Sequence, residues 1–72
     1  MKTVKTTLNE LYRKGFEFQD NLLIGKKRLV YLCESFDYVN QVYFIICLDS
    51  YTGKYITLNS QEHGNKTYTL VR

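Results

Sequence analysis

The chain has little of what metal sites and phosphate-binding loops are built from. Its 72 residues include two cysteines and one histidine, at the separated positions Cys33, Cys47 and His63. A structural zinc site needs four nitrogen or sulfur ligands, usually in close pairs, so a zinc site within one chain is nearly excluded. The four glycines are dispersed and form no phosphate-cradling loop. We therefore expect no metal and no cofactor.

Groups suited to general acid–base catalysis are equally sparse. The seven acidic residues include no close pair on a predicted strand or helix face. A catalytic histidine needs a nucleophile or a carboxylate within hydrogen-bond reach, and Glu62 is the only nearby candidate for His63. We interpret His63 as a solvated loop residue and expect the protein not to be an enzyme.

Long apolar segments are also missing. The longest apolar run, residues 42–48, is far shorter than the roughly 20 residues of a transmembrane helix. Residues 1–7 are basic and polar, with no apolar stretch behind them that would make a signal peptide. Both cysteines lie in predicted apolar strands rather than in turns, which is typical of reduced thiols. These features predict a cytoplasmic protein that does not bind membranes.

The composition is that of one small globular domain spanning residues 1–72. Hydrophobic residues make up 44% and charged residues 24% of the chain, which argues against disorder. Seven tyrosines and four phenylalanines favour strands. A domain of this size buries only about 60% of its unfolded surface, and such domains often rely on oligomerisation. The net charge of +3 suits an acidic partner but requires neither nucleic acid nor membrane.

One helix is predicted, over residues 3–15. Apolar residues spaced i, i+4, i+7 and i+8 fall on one face of it: Val4, Leu8, Leu11 and Tyr12. Thr7 and Glu10 have the spacing of a capping box, although Val4 on the apolar stripe favours a start nearer Thr3. Gly15 is placed to end the helix in a left-handed conformation.

The rest of the chain is predicted to be strands and turns. Candidate strands are residues 16–18, 22–24, 29–33, 42–48, 55–58 and 67–71, and residues 59–65 are predicted to be a polar loop. Residues 49–54 are the clearest hairpin signal, because Asp49 can accept hydrogen bonds from the turn and Gly53 supplies a positive φ. For the first candidate strand (residues 16–18) or the last (residues 67–71), a loop or an edge strand is the alternative. We predict an α+β fold in which one short N-terminal helix packs on an antiparallel β-meander of three to five strands.

The run at residues 42–48 predicts a strand that is covered on both faces, because a strand with one wet face alternates apolar and polar residues. If Asn40 is the apex of the preceding turn, Cys33 faces Cys47 across the hairpin. The face toward the helix would then carry Leu32, Phe36, Val42, Phe44, Ile46 and Leu48. The opposite face would carry Tyr31, Cys33, Tyr43, Ile45 and Cys47.

One helix is too narrow to cover such a sheet, so the opposite face is predicted to pair with a second copy of the chain. The predicted homodimer interface consists of Tyr31, Tyr43, Ile45 and Cys47. Both cysteines are expected to be buried, reduced and slow to react, and a cross-strand disulfide is the alternative.

These observations favour a non-enzymatic dimeric module that binds and modulates another protein. The alternative is a small nucleic-acid-binding protein that uses Lys26, Lys27 and Arg28 together with tyrosines on the sheet. A basic run of three is shorter than the five to eight residues of a typical nucleic-acid patch. A charged bend that protects a sheet edge also explains it.

The order of a capped helix over residues 3–15 and strands to residue 71, with the segments Leu8-Asn9-Glu10-Leu11-Tyr12 and 42–48, resembles the Yopt-type family of small bacillus prophage proteins. The resemblance covers essentially the whole chain and carries no functional motif. It implies a homodimer in which each subunit has one helix and three main strands. It also implies a prophage protein that acts on a host partner.

Overall fold

The computed structural model describes residues 3–72 as six strands and two short helices joined by tight connections. Its elements are β1 (Thr3–Thr7), α1 (Leu8–Lys14), β2 (Asn21–Ile24), β3 (Lys27–Asp37), β4 (Val42–Asp49), β5 (Tyr55–Asn59), α2 (Ser60–His63) and β6 (Thr67–Val71). The strands form one antiparallel sheet in the order β1-β6-β2-β3-β4-β5.

The predicted architecture of one helix on a meander of three to five strands is wrong. Strands β2 to β5 follow one another in the sheet, but β6 returns across the molecule and lies between β1 and β2. β6 pairs with five residues of β1 and three of β2, so it is an interior strand rather than an edge. The sheet is wider than predicted because both ends of the described chain contribute strands to it.

The predicted helix over residues 3–15 begins too early. Residues 3–7 are strand β1, and Val4 lies half exposed on that strand rather than on the helix. Thr7 is the N-cap of α1, where its Oγ1 accepts a hydrogen bond of 3.2 Å from the Glu10 backbone amide. The capping-box spacing of Thr7 therefore marks the correct start of α1. Val4 has the spacing of a helix residue, but strand pairing with β6 places it in β1 instead. Gly15 ends the helix at the predicted position, but its φ of 100° and ψ of 141° lie outside the predicted left-handed helical conformation.

Two other segments need comment. Residues 16–18 form a loop, which is the alternative that the sequence left open for this candidate strand. The predicted loop at residues 59–65 contains helix α2, where the Asn59 side chain caps the first turn by accepting from the Gln61 amide at 2.7 Å. A four-residue helix is too short to produce an apolar periodicity, which is why the sequence pattern does not reveal it.

The register of the β3–β4 hairpin differs from the prediction by one residue. Phe36 faces Tyr43 and Cys33 faces Ile46, and a bulge between Tyr31 and Cys33 then brings Tyr31 opposite Cys47. Asn40 is not the apex of the turn. Asp37 Oδ1 accepts hydrogen bonds from the backbone amides of Val39 and Asn40, and Gln41 has a positive φ of 53°. The turn is therefore centred between Val39 and Asn40, where the aspartate side chain holds it.

The hydrophobic core lies between one face of the sheet and helix α1. Its buried members are Leu8, Leu11, Leu22, Leu29, Tyr31, Tyr43, Ile45, Cys47, Leu58, Tyr68 and Leu70. Two stacked aromatic pairs join the α1 region to the sheet. Tyr12 stacks on Tyr43 with ring centroids 3.9 Å apart, and Phe16 stacks on Tyr31 at 4.3 Å. We call this side of the sheet the inner face.

Helix α1 is also fixed at its first turn by the segment between α2 and β6. The Leu8 and Asn9 amides donate to the carbonyls of Lys66 and Gly64, so two of the unpaired amides of the helix end are satisfied. The Asn9 side chain accepts from the Tyr43 hydroxyl and donates to Asn65. A side chain at Gly64 would meet the Asn9 side chain at 2.5 Å, so this close approach requires glycine.

An ion pair holds the loop that follows α1. Asp20 is buried and accepts from the Glu17 amide at 2.8 Å and from the Arg72 guanidinium at 3.1 Å. Arg72 also donates to the Gly15 carbonyl at 3.3 Å. A buried carboxylate is stable only when it is paired and hydrogen-bonded, so Arg72 is the partner that allows Asp20 to be buried.

We predict that Asp20→Ala lowers the free energy of unfolding by about 2 kcal/mol and Arg72→Met by about 1 kcal/mol. The double variant should lose about 2 kcal/mol, because the two residues share one interaction. Urea denaturation of the four proteins measures this, with Arg13→Met on exposed α1 as a control that stays within about 0.5 kcal/mol. Additive losses would show that the pair does not couple.

Candidate functional site

The face of the sheet opposite the core, the outer face, is apolar at its centre. Cross-strand partners share a face, so the register aligns three rows across β3, β4 and β5. The rows are Val30–Leu48–Tyr55, Cys33–Ile46–Thr57 and Ser35–Phe44–Asn59. We call these nine residues the outer-face patch. None of them is charged.

No helix covers the outer-face patch within residues 3–72. Helix α1 buries Leu8 and Leu11 in the core on the inner face, and α2 contacts α1 and the ends of β4 and β5. The three β4 residues of the patch, Phe44, Ile46 and Leu48, are therefore only half buried, and Tyr55 is 75% exposed. Such a contiguous apolar surface is typical of an interaction site.

The charged residues of this face lie at its margins. Arg28 precedes the patch on β3, and Asp37 follows it at the other end of the same strand. On the far side, Leu23 of β2 lies half buried beside Arg28, and Val71 of β6 is buried beside Asn21. An apolar centre with a polar rim is the arrangement that protein–protein interfaces share.

The four residues of the predicted dimer interface lie elsewhere. Tyr31, Tyr43, Ile45 and Cys47 are buried in the core of the single chain, on the inner face. The prediction assigned the two faces the wrong way round, because both sets of β4 residues are apolar and only the packing of α1 distinguishes them. Tyr12 and Phe16 stack on Tyr43 and Tyr31, and this selects the inner face.

The two core tyrosines keep their hydroxyls paired. The Tyr31 hydroxyl donates to Glu34 at 3.1 Å, and the Tyr43 hydroxyl donates to Asn9. Burial, and for Tyr31 the nearby Glu34 carboxylate, raises the pKa of each phenol from 10.0 to about 12. Each phenol therefore stays protonated at neutral pH, with its hydroxyl hydrogen-bonded within the fold.

The two cysteines have different environments. Cys47 is fully buried, and its burial raises the pKa of the thiol from 9.0 to about 12. Cys33 is exposed and lies in the central row of the outer-face patch, so the expectation that both cysteines are buried is wrong for Cys33. Both thiols are free, and their strands place Cys33 opposite Ile46 rather than opposite Cys47.

The basic run at residues 26–28 divides between two surfaces. Lys26 occupies the two-residue turn between β2 and β3, and Lys27 borders the same cavity as Lys26. Arg28 donates to Asn21 at 2.8 Å and lies on the outer-face side of β3. The three charges do not form one patch, but Lys66 joins Lys26 and Lys27 at the cavity.

His63 is half buried at the end of α2 and is not the solvated loop residue of the prediction. Its Nδ1 is 3.3 Å from the Tyr68 hydroxyl, and its Nε2 is 3.8 Å from the Glu62 carboxylate. Within residues 3–72, no three His, Cys, Asp or Glu side chains lie together as metal ligands would. Among residues 3–72, no serine, threonine or cysteine is hydrogen-bonded to the His63 side chain.

A second exposed apolar surface lies at the tip of the β3–β4 hairpin. Val39 is 90% and Tyr38 84% exposed, and Phe36 packs edge-on against Tyr38 with ring centroids 4.9 Å apart. The Asp37 carboxylate holds this turn in shape, and its hydrogen bonds with Asn40 and Val39 lower its pKa. The sequence pattern does not reveal this surface, because apolar residues at an exposed hairpin tip look the same in the sequence as the apolar residues of the strand before them.

Comparisons of the chain with protein-family models, with curated protein sequences and with solved structures gave no match. The resemblance to the Yopt-type family therefore stays a prediction. In the part of the chain that the structure describes, neither helix has the length and apolar character needed to cross a membrane.

We predict that Cys47 reacts with a thiol reagent at least about a hundredfold more slowly than Cys33 at neutral pH, because the thiolate is the reactive form and Cys47 is buried and protonated. Mass spectrometry of dilute native protein after brief alkylation measures both rates, with Cys33→Ser and Cys47→Ala confirming the assignment. If Cys33 and Cys47 were alkylated at equal rates in the native protein, as they should be in the denatured protein, Cys47 would not be in the core.

Stability should fall in alkali. The core groups Tyr31, Tyr43 and Cys47 have raised pKa values of about 12, whereas the unfolded chain deprotonates near pH 9 for the thiol and near pH 10 for the phenols. Their stabilising contribution is therefore complete below about pH 9 and is lost as the pH rises toward about 12.

Urea denaturation across this range should show the free energy of unfolding decreasing with pH, and the decrease should be shallower in Tyr31→Phe. Because that variant also lacks the hydrogen bond to Glu34, the comparison uses the slope of the free energy of unfolding against pH and not its absolute value. A slope equal to that of the wild type would contradict the raised pKa of Tyr31.

Proposed function

We propose that this protein is a non-enzymatic module that pairs with a second copy of itself through the outer-face patch, and that the dimer binds and modulates another protein. The observation that carries the proposal is an uncharged apolar centre on a sheet face that no element of residues 3–72 covers. A prophage protein acting on a bacterial host partner, as the family resemblance implies, has this kind of role.

The area of the outer face suits a dimer. The strands from β6 to β5 have four to eleven residues each, at about 3.3 Å per residue and about 4.8 Å per strand. Each copy thus offers roughly 500 Å², and the two together roughly 1,000 Å², which is the size that a specific interface should reach. Two sheets packed face to face in this way form a sandwich about 10 Å thick.

The positions of the rim charges favour one two-fold geometry. Arg28 and Asp37 lie at opposite ends of β3, with the outer-face patch between them. A two-fold axis that lies between the sheets and runs across the strands brings Arg28 over Asp37 of the partner subunit, twice in the dimer. An axis along the strands brings like charges together instead, which is unfavourable.

The hairpin tip defined by Phe36, Tyr38 and Val39 is the proposed surface for the other protein. It lies beyond the outer-face patch, so dimerisation leaves it accessible. Exposed tyrosine and phenylalanine side chains are the residues that interface centres prefer. Nucleic-acid binding through Lys26, Lys27 and Arg28 is the less favoured alternative, because Arg28 lies apart from the two lysines.

Ile46→Asp tests the dimer directly. Ile46 is in the central row, so two carboxylates would meet at the two-fold axis, and the dimer should weaken by at least about 30-fold, or about 2 kcal/mol. Sedimentation velocity over a wide concentration range measures this. Val39→Asp is the matched control, since it makes a similar change outside the patch. Circular dichroism establishes that each variant is folded, and Ile46→Thr, which keeps the β-branched shape, gives a milder second measurement.

Labelling of Cys33 gives an independent readout of the same interface. Because Cys33 lies in the central row, its alkylation should slow as the protein concentration rises, and in Ile46→Asp the rate should stay constant. A wild-type protein that is monomeric at every concentration, with a constant Cys33 rate, would overturn the dimer.

Capture from a bacillus lysate, the host that the resemblance implies, tests the partner-binding half of the proposal. Wild-type protein and Ile46→Asp should be compared with Val39→Asp, which keeps the dimer and changes the hairpin tip. A specific partner should be lost with Val39→Asp. Recovery of nucleic acid alone, with an affinity that falls as salt rises, would instead support the alternative.

A further inference from the structure

A cavity of about 610 Å³ opens on the inner-face side of the sheet, away from the outer-face patch. It lies between the β2–β3 turn, strand β5 and the segment that leads into β6. Strands β5 and β6 are separated in the sheet by three others, so the sheet must curve for both to border one cavity. The volume is within the range of small-molecule sites, which is about 300–1,000 Å³.

The interior of the cavity is apolar. Leu29, Leu58 and Tyr68 are buried core residues that form its floor, and Ile24 and Ile56 are half buried at its sides. A ligand placed here would remove apolar surface from water, which is the main source of affinity in sites of this kind. The ligand must therefore have an apolar body.

The entrance is basic. Lys26, Lys27 and Lys66 are exposed around the cavity, together with half-buried His63. None of the eleven described residues that line it is acidic; the nearest carboxylate to His63 is that of exposed Glu62, at 3.8 Å, which lies outside the lining. Three like charges from two distant chain segments are thus gathered at one opening, and they favour an anion.

The fold holds these groups in place. Gly25, with φ 57°, is the first of two turn residues between β2 and β3, as in a type II′ turn, and this sets Lys26 and Lys27 beside the opening. The Tyr68 hydroxyl lies 3.3 Å from His63 Nδ1, which connects the floor to the entrance. The Lys66 amide bonds to the His63 carbonyl at 3.1 Å.

From this arrangement we propose that the cavity binds a small organic anion with an apolar body, such as a medium-chain carboxylate. The chain of the ligand lies on the Leu29–Leu58–Tyr68 floor, and its carboxylate faces the three lysines. The site goes beyond the proposed dimer and partner binding. It lies on the other side of the sheet from the outer-face patch, so failure of either proposal leaves the other standing.

The test uses decanoate and decanol, which differ in charge and share the same chain length. Amide chemical shifts of the isotopically labelled protein are followed during titration with each. Decanoate should produce saturable shifts at Ile24, Lys27, Ile56 and Lys66, and should bind about tenfold more tightly than decanol. The preference should shrink as ionic strength rises, because the lysines are exposed.

Two variants separate the charged entrance from the apolar floor. Changing Lys26, Lys27 and Lys66 together to Gln should weaken decanoate binding about tenfold and leave decanol binding unchanged, since exposed ion pairs are each modest. The matched control changes three exposed lysines away from the cavity, Lys5, Lys14 and Lys54, to Gln, with the same loss of net charge. Ile56→Trp should fill the cavity and abolish binding of both ligands.

Several results would overturn the proposal. Equal affinity for decanoate and decanol would show that the lysines do not recognise the anion. Equal weakening in the cavity triple variant and in the control triple variant would reduce the effect to net charge. Shifts confined to Phe44, Ile46 and Leu48 would locate the ligand on the outer face, and shifts that never saturate would show that no site exists.

Discussion

Strand β4 is the constraint on which the rest of the molecule depends. Its side chains are apolar toward both faces of the sheet, so each face must be covered or must remain as an apolar surface. On the inner face the chain supplies the cover itself, with Tyr12 stacked on Tyr43 and core leucines packed around Ile45. On the outer face the described chain supplies none. Everything proposed about self-association follows from this asymmetry.

The inner layer is assembled from small contributions because the helices are short. Helix α1 has seven residues and could not persist alone in water. It is held by carbonyls of Gly64 and Lys66 at its first turn, by Thr7 as its cap, and by aromatic stacking on the sheet. Buried Asp20, paired with the exposed Arg72, holds the loop that follows. Apart from the local Thr7 cap, these contacts join α1 and its loop to segments distant in the sequence, so the inner layer depends on the sheet being assembled.

The two candidate surfaces for function make different physical demands. The outer-face patch is broad and uncharged, which suits a second copy of the same surface, because a two-fold contact pairs a patch with itself. The cavity beside β5 is narrow, concave and rimmed with lysine, which suits a small amphipathic anion. The sheet thus provides two sites on opposite faces, and of the described residues Thr57 on the edge strand β5 belongs to both.

The sequence by itself determined where most strands lie, the turns before and after β4, the end of α1 at Gly15, and the presence of two apolar faces on β4. These are local consequences of residue spacing and of Asp and Gly side-chain chemistry. Only the tertiary structure decided which face is the core, because Ile45 and Ile46 are equally apolar and a one-residue change of register exchanges them. It also decided that residues 3–7 are a strand, since β6 supplies hydrogen-bond partners that no local pattern reveals. The lysine-rimmed cavity also depends on the tertiary structure. Lys27 and Lys66 are distant in sequence, and they border the same cavity only because β2 and β6 are neighbours in the sheet.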